Sequence, residues 1–347
     1  MKKNKSRQKR TASVSPVRFA YSNHLFVLGA LIVVGVLIFG SDSFAAGKGG
    51  SANTSVDSAI IKSAKLYVKP GSHAELQAAD WRLSRPADAA VMDKLALQPV
   101  GEWFGNWIPD VTAAVKSTVD ASRANGTIPI LVAYNIPYRD CALYSSGGSE
   151  TSDAYKMWIR NFALGIGNRP AVVILEPDAL ASMSCIPLEG QTARTALIND
   201  AVSVLKALGS TSVYIDAGNN GWTSADVMAT RLTNAGIKNA SGFSLNVSNF
   251  FTTAESEIFG NAISKKLRGV HYVVDTSRNG IGSNGEWCNP AGRALGKTPI
   301  ASSSNALVDA YLWIKIPGES DGPCNGGPAA GSWWADYALG LAKSAGW

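Results

Sequence analysis

Seven short runs after residue 99 are mostly apolar along their whole length, where a half-exposed strand would alternate. They are VGEWFGNW (100–107), IPILVAYN (128–135), PAVVILEP (170–177), TSVYIDAG (211–218), SGFSLNV (241–247), VHYVVDTS (270–277) and DAYLWIKIP (309–317). Strands covered on both faces read this way, because neither side of the pleat meets water. Amphipathic segments lie between them. Thr151-Ser152-Asp153 opens one, with Trp158 and Phe162 on a common face. Residues 191–208 put Ala193, Leu197, Ile198, Ala201, Val204, Leu205 and Leu208 on one stripe closed by Gly209. Ser224 and Thr253 read as N-caps of two more helices. Strand, helix, strand, repeated, predicts a parallel sheet with right-handed crossovers. The expected fold class is α/β, a seven-stranded parallel β/α barrel of the TIM type, one strand short. An open doubly wound sheet is the alternative, and no GxGxxG follows a strand to favour it.

The residues at the C-terminal ends of these runs carry the functional signal. The second run ends in Tyr134 and Asp140, the third in Glu176 and Asp178, the fourth in Asp216 and the fifth in Asn246. The sixth ends in Asp275 and Arg278, and the seventh in Lys315, Glu319 and Asp321. In a parallel barrel these ends converge on one face, where such folds place their chemistry. A single Asp after a strand is commonly a helix cap or turn former, and Glu176-Pro177-Asp178 reads equally well as a strand stop. Carboxylates at five of the seven ends point instead to general acid/base work on a neutral polar substrate.

The tryptophans add a substrate class, since an indole stacks on the apolar face of a sugar ring. Trp103 and Trp313 lie within strands and read as core. Trp222 in AGNNGWTS and Trp287 in NGEWCNP sit among Gly and Asn and read as stacking platforms, and Trp107 joins them as a binding candidate. His271, inside VHYVVD, reads as a satisfied core histidine, and Met157, Met183 and Met228 as gap-fillers.

Residues 1–45 form a separate leader: seven basic residues, an apolar run from Leu25 to Phe39, then SDSFAAG with Ser43 and Ala45 small enough for a cleavage site. This is the layout of a secretory signal, with an uncleaved anchor as the alternative. In either case the remainder is expected outside the cytoplasm. Residues 46–56 are a Gly/Ser spacer, and 57–347 the expected catalytic domain. Of 32 Lys+Arg, 7 lie in the leader, and of 26 Asp+Glu only Asp42 does, leaving 25 of each sign. The basic pI therefore belongs to the leader and gives no support to a nucleic-acid partner. The four cysteines, Cys141, Cys185, Cys288 and Cys324, are consistent with two disulfides in an exported chain, with three connectivities open. None forms a CxxC or Cys/His cluster, and the histidines are three, so neither metal nor cofactor is expected.

With AYNIPYRDC, VVILEPDALASM, YIDAGNNGW, NVSNF, VVDTSRNG, EWCNPAGRALG and LWIKIPGESDG in this order, the chain resembles glycoside hydrolase family 6, the inverting cellulases. The resemblance runs from LYVKPGSHAELQAADWR (66–82) to Trp347. It implies a distorted barrel and cleavage of a β-1,4-glucan chain. Asp178 matches the family's general acid. Asp140 matches a second aspartate thought to raise the acid's pKa and to help position or deprotonate water, and Asp321 the residue often proposed as base. Tyr134 and Ser146 match residues beside the −1 sugar, Lys315 and Glu319 polar binders of the glycone side, and Trp222 and Trp287 stacking platforms. Asp216, Asp275 and Arg278 match a support network around the acid and the cleft; Asp216, Arg278 and Asn246 are also counted among the substrate-binding candidates. Family connectivity pairs Cys141 with Cys185 and Cys288 with Cys324.

Two departures stand out. The family's DAGHxGW reads DAGNNGW, placing Asn219 where histidine is common and suggesting an altered plus-side contact. The 141–150 loop and the segment from Asp321 to Cys324 are short, which favours an open cleft and endo- over exo-cleavage. The absence of an appended binding module favours soluble or amorphous glucan, and no obligate protein partner is expected for a monomer. A cellobiohydrolase is the neighbouring alternative. A non-catalytic glucan-binding protein would be expected to lack Asp178 or Asp140, and a metal-dependent deacetylase would need more histidine.

Overall fold

The computed structural model describes residues 61, 62, 65–301 and 303–347; the leader and the spacer lie outside them. Seven strands run in sequence order through one sheet, every neighbouring pair parallel: β1 Glu102–Phe104, β2 Ile130–Ala133, β3 Ala171–Leu175, β4 Thr211–Asp216, β5 Gly242–Leu245, β6 Tyr272–Asp275 and β7 Val308–Leu312. The helices, in chain order, are α1 His73–Trp81, α2 Pro86–Ala96, α3 Val111–Ala124, α4 Ser152–Ile166, α5 Leu188–Lys206, α6 Ala225–Asn234, α7 Thr253–Lys266 and α8 Ala335–Ser344.

Alternate residues of each strand serve two different cores, which is why the runs are continuously apolar. Leu131, Ala133, Val173, Leu175, Val213 and Ile215 face the surrounding helices. Ile130, Val132, Val172, Ile174, Tyr214 and Leu312 fill the interior of the curled sheet. The strands do not close into a full ladder. At the seam, the Gly101 amide donates to the Trp313 carbonyl at 2.8 Å and the Trp103 indole N–H to the Ile314 carbonyl at 2.9 Å. A Cβ on Gly101 would lie 2.4 Å from the Ile314 oxygen, so this approach requires glycine. A third cluster, with Trp81, Met92, Trp313 and Leu339, packs α1, α2 and α8 over the same seam. The barrel is therefore distorted at one identified place.

The expected helices form, with shifted boundaries. Thr151 and Ser224 cap α4 and α6, accepting from the amides of Ala154 and Val227. Helix α5 starts at Leu188, three residues before the expected 191. The cap of α7 is Thr252, and Thr253 is its first helical residue: Thr252 accepts from the Glu255 amide while the Glu255 carboxylate accepts from the Thr252 amide at 2.8 Å. That reciprocal box needs an acid three residues after the cap, and only Thr252 has one. Helices α1, α2, α3 and α8 were not anticipated. Met183 and Met228 are buried, but Met157 is 63% exposed on the outer face of α4 and fills no gap.

Candidate active site

The strand-end carboxylates divide into two groups. Glu176, Asp216 and Asp275 are fully buried, and each fastens the loop of a neighbouring strand. Glu176 accepts from the amides of Asn135 and Ile136, both at 2.9 Å, tying the loop after β2 to β3. Asp216 accepts from the Asp178 amide at 2.9 Å and the Gly218 amide at 3.0 Å, tying the loop after β3 to β4. Asp275 accepts from the amides of Ser248 and Lys315, both at 3.0 Å, joining the loops after β5 and β7. Burial pushes all three carboxyls up, Glu176 to about 7 and Asp216 to about 6, against the pull of these amides.

The other group, Asp140, Asp178, Glu319 and Asp321, lies on the wall of one cavity of about 1040 Å³. Asp178 holds a left-handed backbone at φ 68°, as do Glu176 at φ 50° and Asp140 at φ 58°. For residues other than glycine this costs on the order of 1–3 kcal/mol each and persists only where the surroundings enforce it. The Asp178 carboxyl is raised well above its ordinary range, by burial first and then by Asp216, Asp140 and Asp321. Asp140 is raised by burial, against the Ser145 amide, which donates to it at 2.6 Å, and the Arg139 charge. Asp321 is held differently: Arg278 donates to it at 2.9 Å, the Asn289 amide at 3.0 Å, and Lys315 stands 3.9 Å away.

Tyr134, Ser146, Trp107, Trp222, Trp287, Lys315 and Glu319 share this cavity. The three indoles are about half exposed, at 51%, 45% and 46%, where packing alone would bury them. Burial and the Asp178 and Asp140 charges keep the Tyr134 phenol firmly protonated. Burial likewise raises the Glu319 carboxyl, against Lys315 at 3.9 Å. The disulfides are Cys141–Cys185 and Cys288–Cys324. The first ties the loop behind Asp140 to the loop beyond Asp178; the second ties the Trp287 loop to the Asp321 loop.

Three of the expected binding residues are elsewhere. Asp216, Asn246 and Arg278 are 0% exposed and stand behind the cavity wall, so their geometry offers support and no direct sugar contact. The Asn246 side chain accepts from the Phe251 amide and donates to the Asp275 carbonyl. Asn219 is also buried and accepts from the Gly221 amide, so it shapes a turn. Trp313 is core; Trp103 is partly so, packing edge-on against Tyr134 while reaching the cavity. His271 is satisfied by Asp309 at 2.8 Å.

Sequence reasoning missed several residues in and around the cavity. Arg139, though polar and at a strand end, is buried and braces the 140s loop through the carbonyls of Tyr134 and Ser145. Asn289 positions Asp321 from both sides, its own amide donating to the carboxylate and its side chain accepting from the Asp321 amide. Tyr144 reaches across to Trp287, ring centroids 5.9 Å apart, and lies against Gly322. An aromatic among small residues in CALYSSGG was the available signal.

Comparison with known proteins identifies the family. The family model described as glycosyl hydrolases family 6 matches residues 61–345. Endoglucanase A of Cellulomonas fimi is 47% identical over 77% of this chain, and endoglucanase 1 of Streptomyces halstedii 45% identical over 76%. The chain spans 59% and 83% of those relatives' own lengths. Among solved structures, the endoglucanase Cel6 of Mycobacterium tuberculosis, in complex with methyl-cellobiosyl-4-deoxy-4-thio-β-D-cellobioside, is 43% identical. It superposes with a TM-score of 0.80 over 83% of this chain and 99% of that one. The chain belongs to the glycosyl hydrolases of family 6.

Proposed function

We propose that the protein is an endo-acting β-1,4-glucanase that inverts the anomeric centre, works without a cofactor, and acts as a monomer outside the cytoplasm. The observation that carries this is the meeting of Asp178, Asp140 and Asp321 on one cavity wall flanked by three half-exposed indoles. Protonated Asp178 donates its proton to the glycosidic oxygen as that bond to the anomeric carbon breaks. A water attacks the carbon from the opposite face of the ring, and its proton passes to a carboxylate. Inversion requires the two working carboxyls about 6.5–9.5 Å apart, leaving room for that water. Burial and the Asp216 charge, with a further contribution from Asp140, keep Asp178 protonated, and Asp140 helps position or deprotonate the water. Asp321 is the alternative base, held in place by Arg278 at 2.9 Å and the Asn289 amide at 3.0 Å. Tyr134 and Ser146 face the distorted sugar, Lys315 and Glu319 hold the glycone side, and Trp107, Trp222 and Trp287 stack on the chain.

The relatives, named as endoglucanases, favour the endo mode. The reach of Tyr144 to Trp287 favours the exo reading, a cellobiohydrolase with a covered cleft. Carboxymethylcellulose separates them when viscosity and reducing ends are followed together in the wild type and Asp178→Ala. The proposal expects a steep viscosity fall per reducing end, lost in the variant. Cellobiose accumulating at nearly constant viscosity would establish the exo mode. No cleavage of any β-1,4-glucan would overturn both.

A further inference from the structure

Besides Lys315 and Glu319, the cavity wall includes His73, Trp333, Lys69 and Glu102 toward the barrel seam. This part of the wall is built where α1 and the segment before α8 come together. Trp333 is half-buried, and its indole N–H donates to the Gln77 side chain at 3.3 Å. One edge of its ring rests on Gly318, where a Cβ would lie 2.8 Å from the indole and 2.5 Å from Ala338. Gly318 has φ 96°, so both space and backbone demand glycine and the seat of Trp333 is fixed. An isolated pairing of Glu319 with Trp333 in antiparallel register joins that seat to the glycone-side carboxylate. The exposed His73 ring lies 5.7 Å from Trp333 at 34°, extending the aromatic surface.

The charges here cancel. Lys69 and Glu102 pair at 2.6 Å, leaving no net attraction for an ionic ligand. Aromatic surface beside neutralised polar groups suits an uncharged, hydroxyl-rich ring. We infer that His73 and Trp333 form an additional glucosyl subsite on the glycone side, one unit beyond the sugar held by Lys315 and Glu319. This rests on the proposed glucanase function and its orientation of the chain. The site would let the enzyme grip a glucan that continues past that sugar, as internal cleavage requires.

Cellotetraose and reducing-end ¹⁸O-labelled cellopentaose test it, with wild type, His73→Ala and Trp333→Ala. His73 is exposed at the first position of α1, so its truncation guards against a folding defect in the Trp333 variant. The wild type is expected to prefer cellopentaose in kcat/KM by about tenfold, the size of one good stacking contact. The label should leave in cellobiose, with unlabelled cellotriose as the other product. Both variants should shrink that preference, chiefly through KM. Label leaving mainly in cellotriose would overturn the inference and leave the glucanase intact. So would a preference that both variants retain. If neither oligosaccharide is cut, the functional reading fails and takes the subsite with it.

Discussion

The main-chain amide of Asp178 donates to the carboxylate of Asp216 at 2.9 Å, so one buried group both fixes the backbone of the acid and raises its proton affinity. Asp216→Asn separates these effects, because the amide oxygen still accepts while the charge is gone. Removing the charge lowers the Asp178 pKa. The alkaline limb of kcat/KM, where the acid loses its proton, is then expected at lower pH than in the wild type. A pH profile on soluble glucan reads this directly, and an unmoved alkaline limb would refute it.

Stability should carry the same imprint. Glu176, Asp216, Asp275, Asp140, Asp178 and Glu319 are all raised on folding. Between its unfolded and folded pKa, each group binds more protons in the native state, so stability falls as pH rises through that window. For Glu176 the window runs from 4.5 to about 7, and for Asp216 from 3.8 to about 6. Tm is therefore expected to be higher near pH 5 than near pH 7.5, with Glu176→Gln flattening the slope. A Tm that climbs across this range would contradict the argument.

The sheet was legible because a strand buried on both faces leaves an unmistakable apolar run, and the disulfide pairs followed from family resemblance. The division of the strand-end carboxylates was not legible. Asp178 and Asp216 look alike at the end of a run; which one meets the cavity depends on a left-handed turn at Asp178 and on the loop that Asp216 fastens. Helices α1, α2 and α8 were missed because their apolar residues cover a seam that exists only once β1 and β7 fail to pair. Trp333 stayed hidden for the same reason, its partner His73 lying some 260 residues earlier in the chain.

Reduction should weaken both the fold and the site. The Cys288–Cys324 bridge spans 36 residues and Cys141–Cys185 spans 44. Loops of that size stabilise by about 2–4 kcal/mol each in the chain-entropy account. Thermal unfolding with and without dithiothreitol should show a clear drop in Tm. Cys288→Ala/Cys324→Ala should also lower kcat, since that bridge holds the Trp287 and Asp321 loops together. A double variant with wild-type kcat would limit the bridge to a stabilising role.

Arg278 is 0% exposed, and its guanidinium is divided among Asp321 at 2.9 Å, the Ser248 carbonyl and the face of Phe250. Its removal leaves the Asp321 carboxylate without its principal counter-charge, and breaking a buried pair this way costs about 3–5 kcal/mol. Arg278→Met and Asp321→Asn are each expected to be strongly destabilised in urea unfolding, because either one leaves a buried charge without its partner. The double variant Arg278→Met/Asp321→Asn should then recover part of the loss, because no uncompensated charge remains. If the two losses simply add, the pair is not coupled and the Arg278–Asp321 contact is not what holds this part of the cavity wall together.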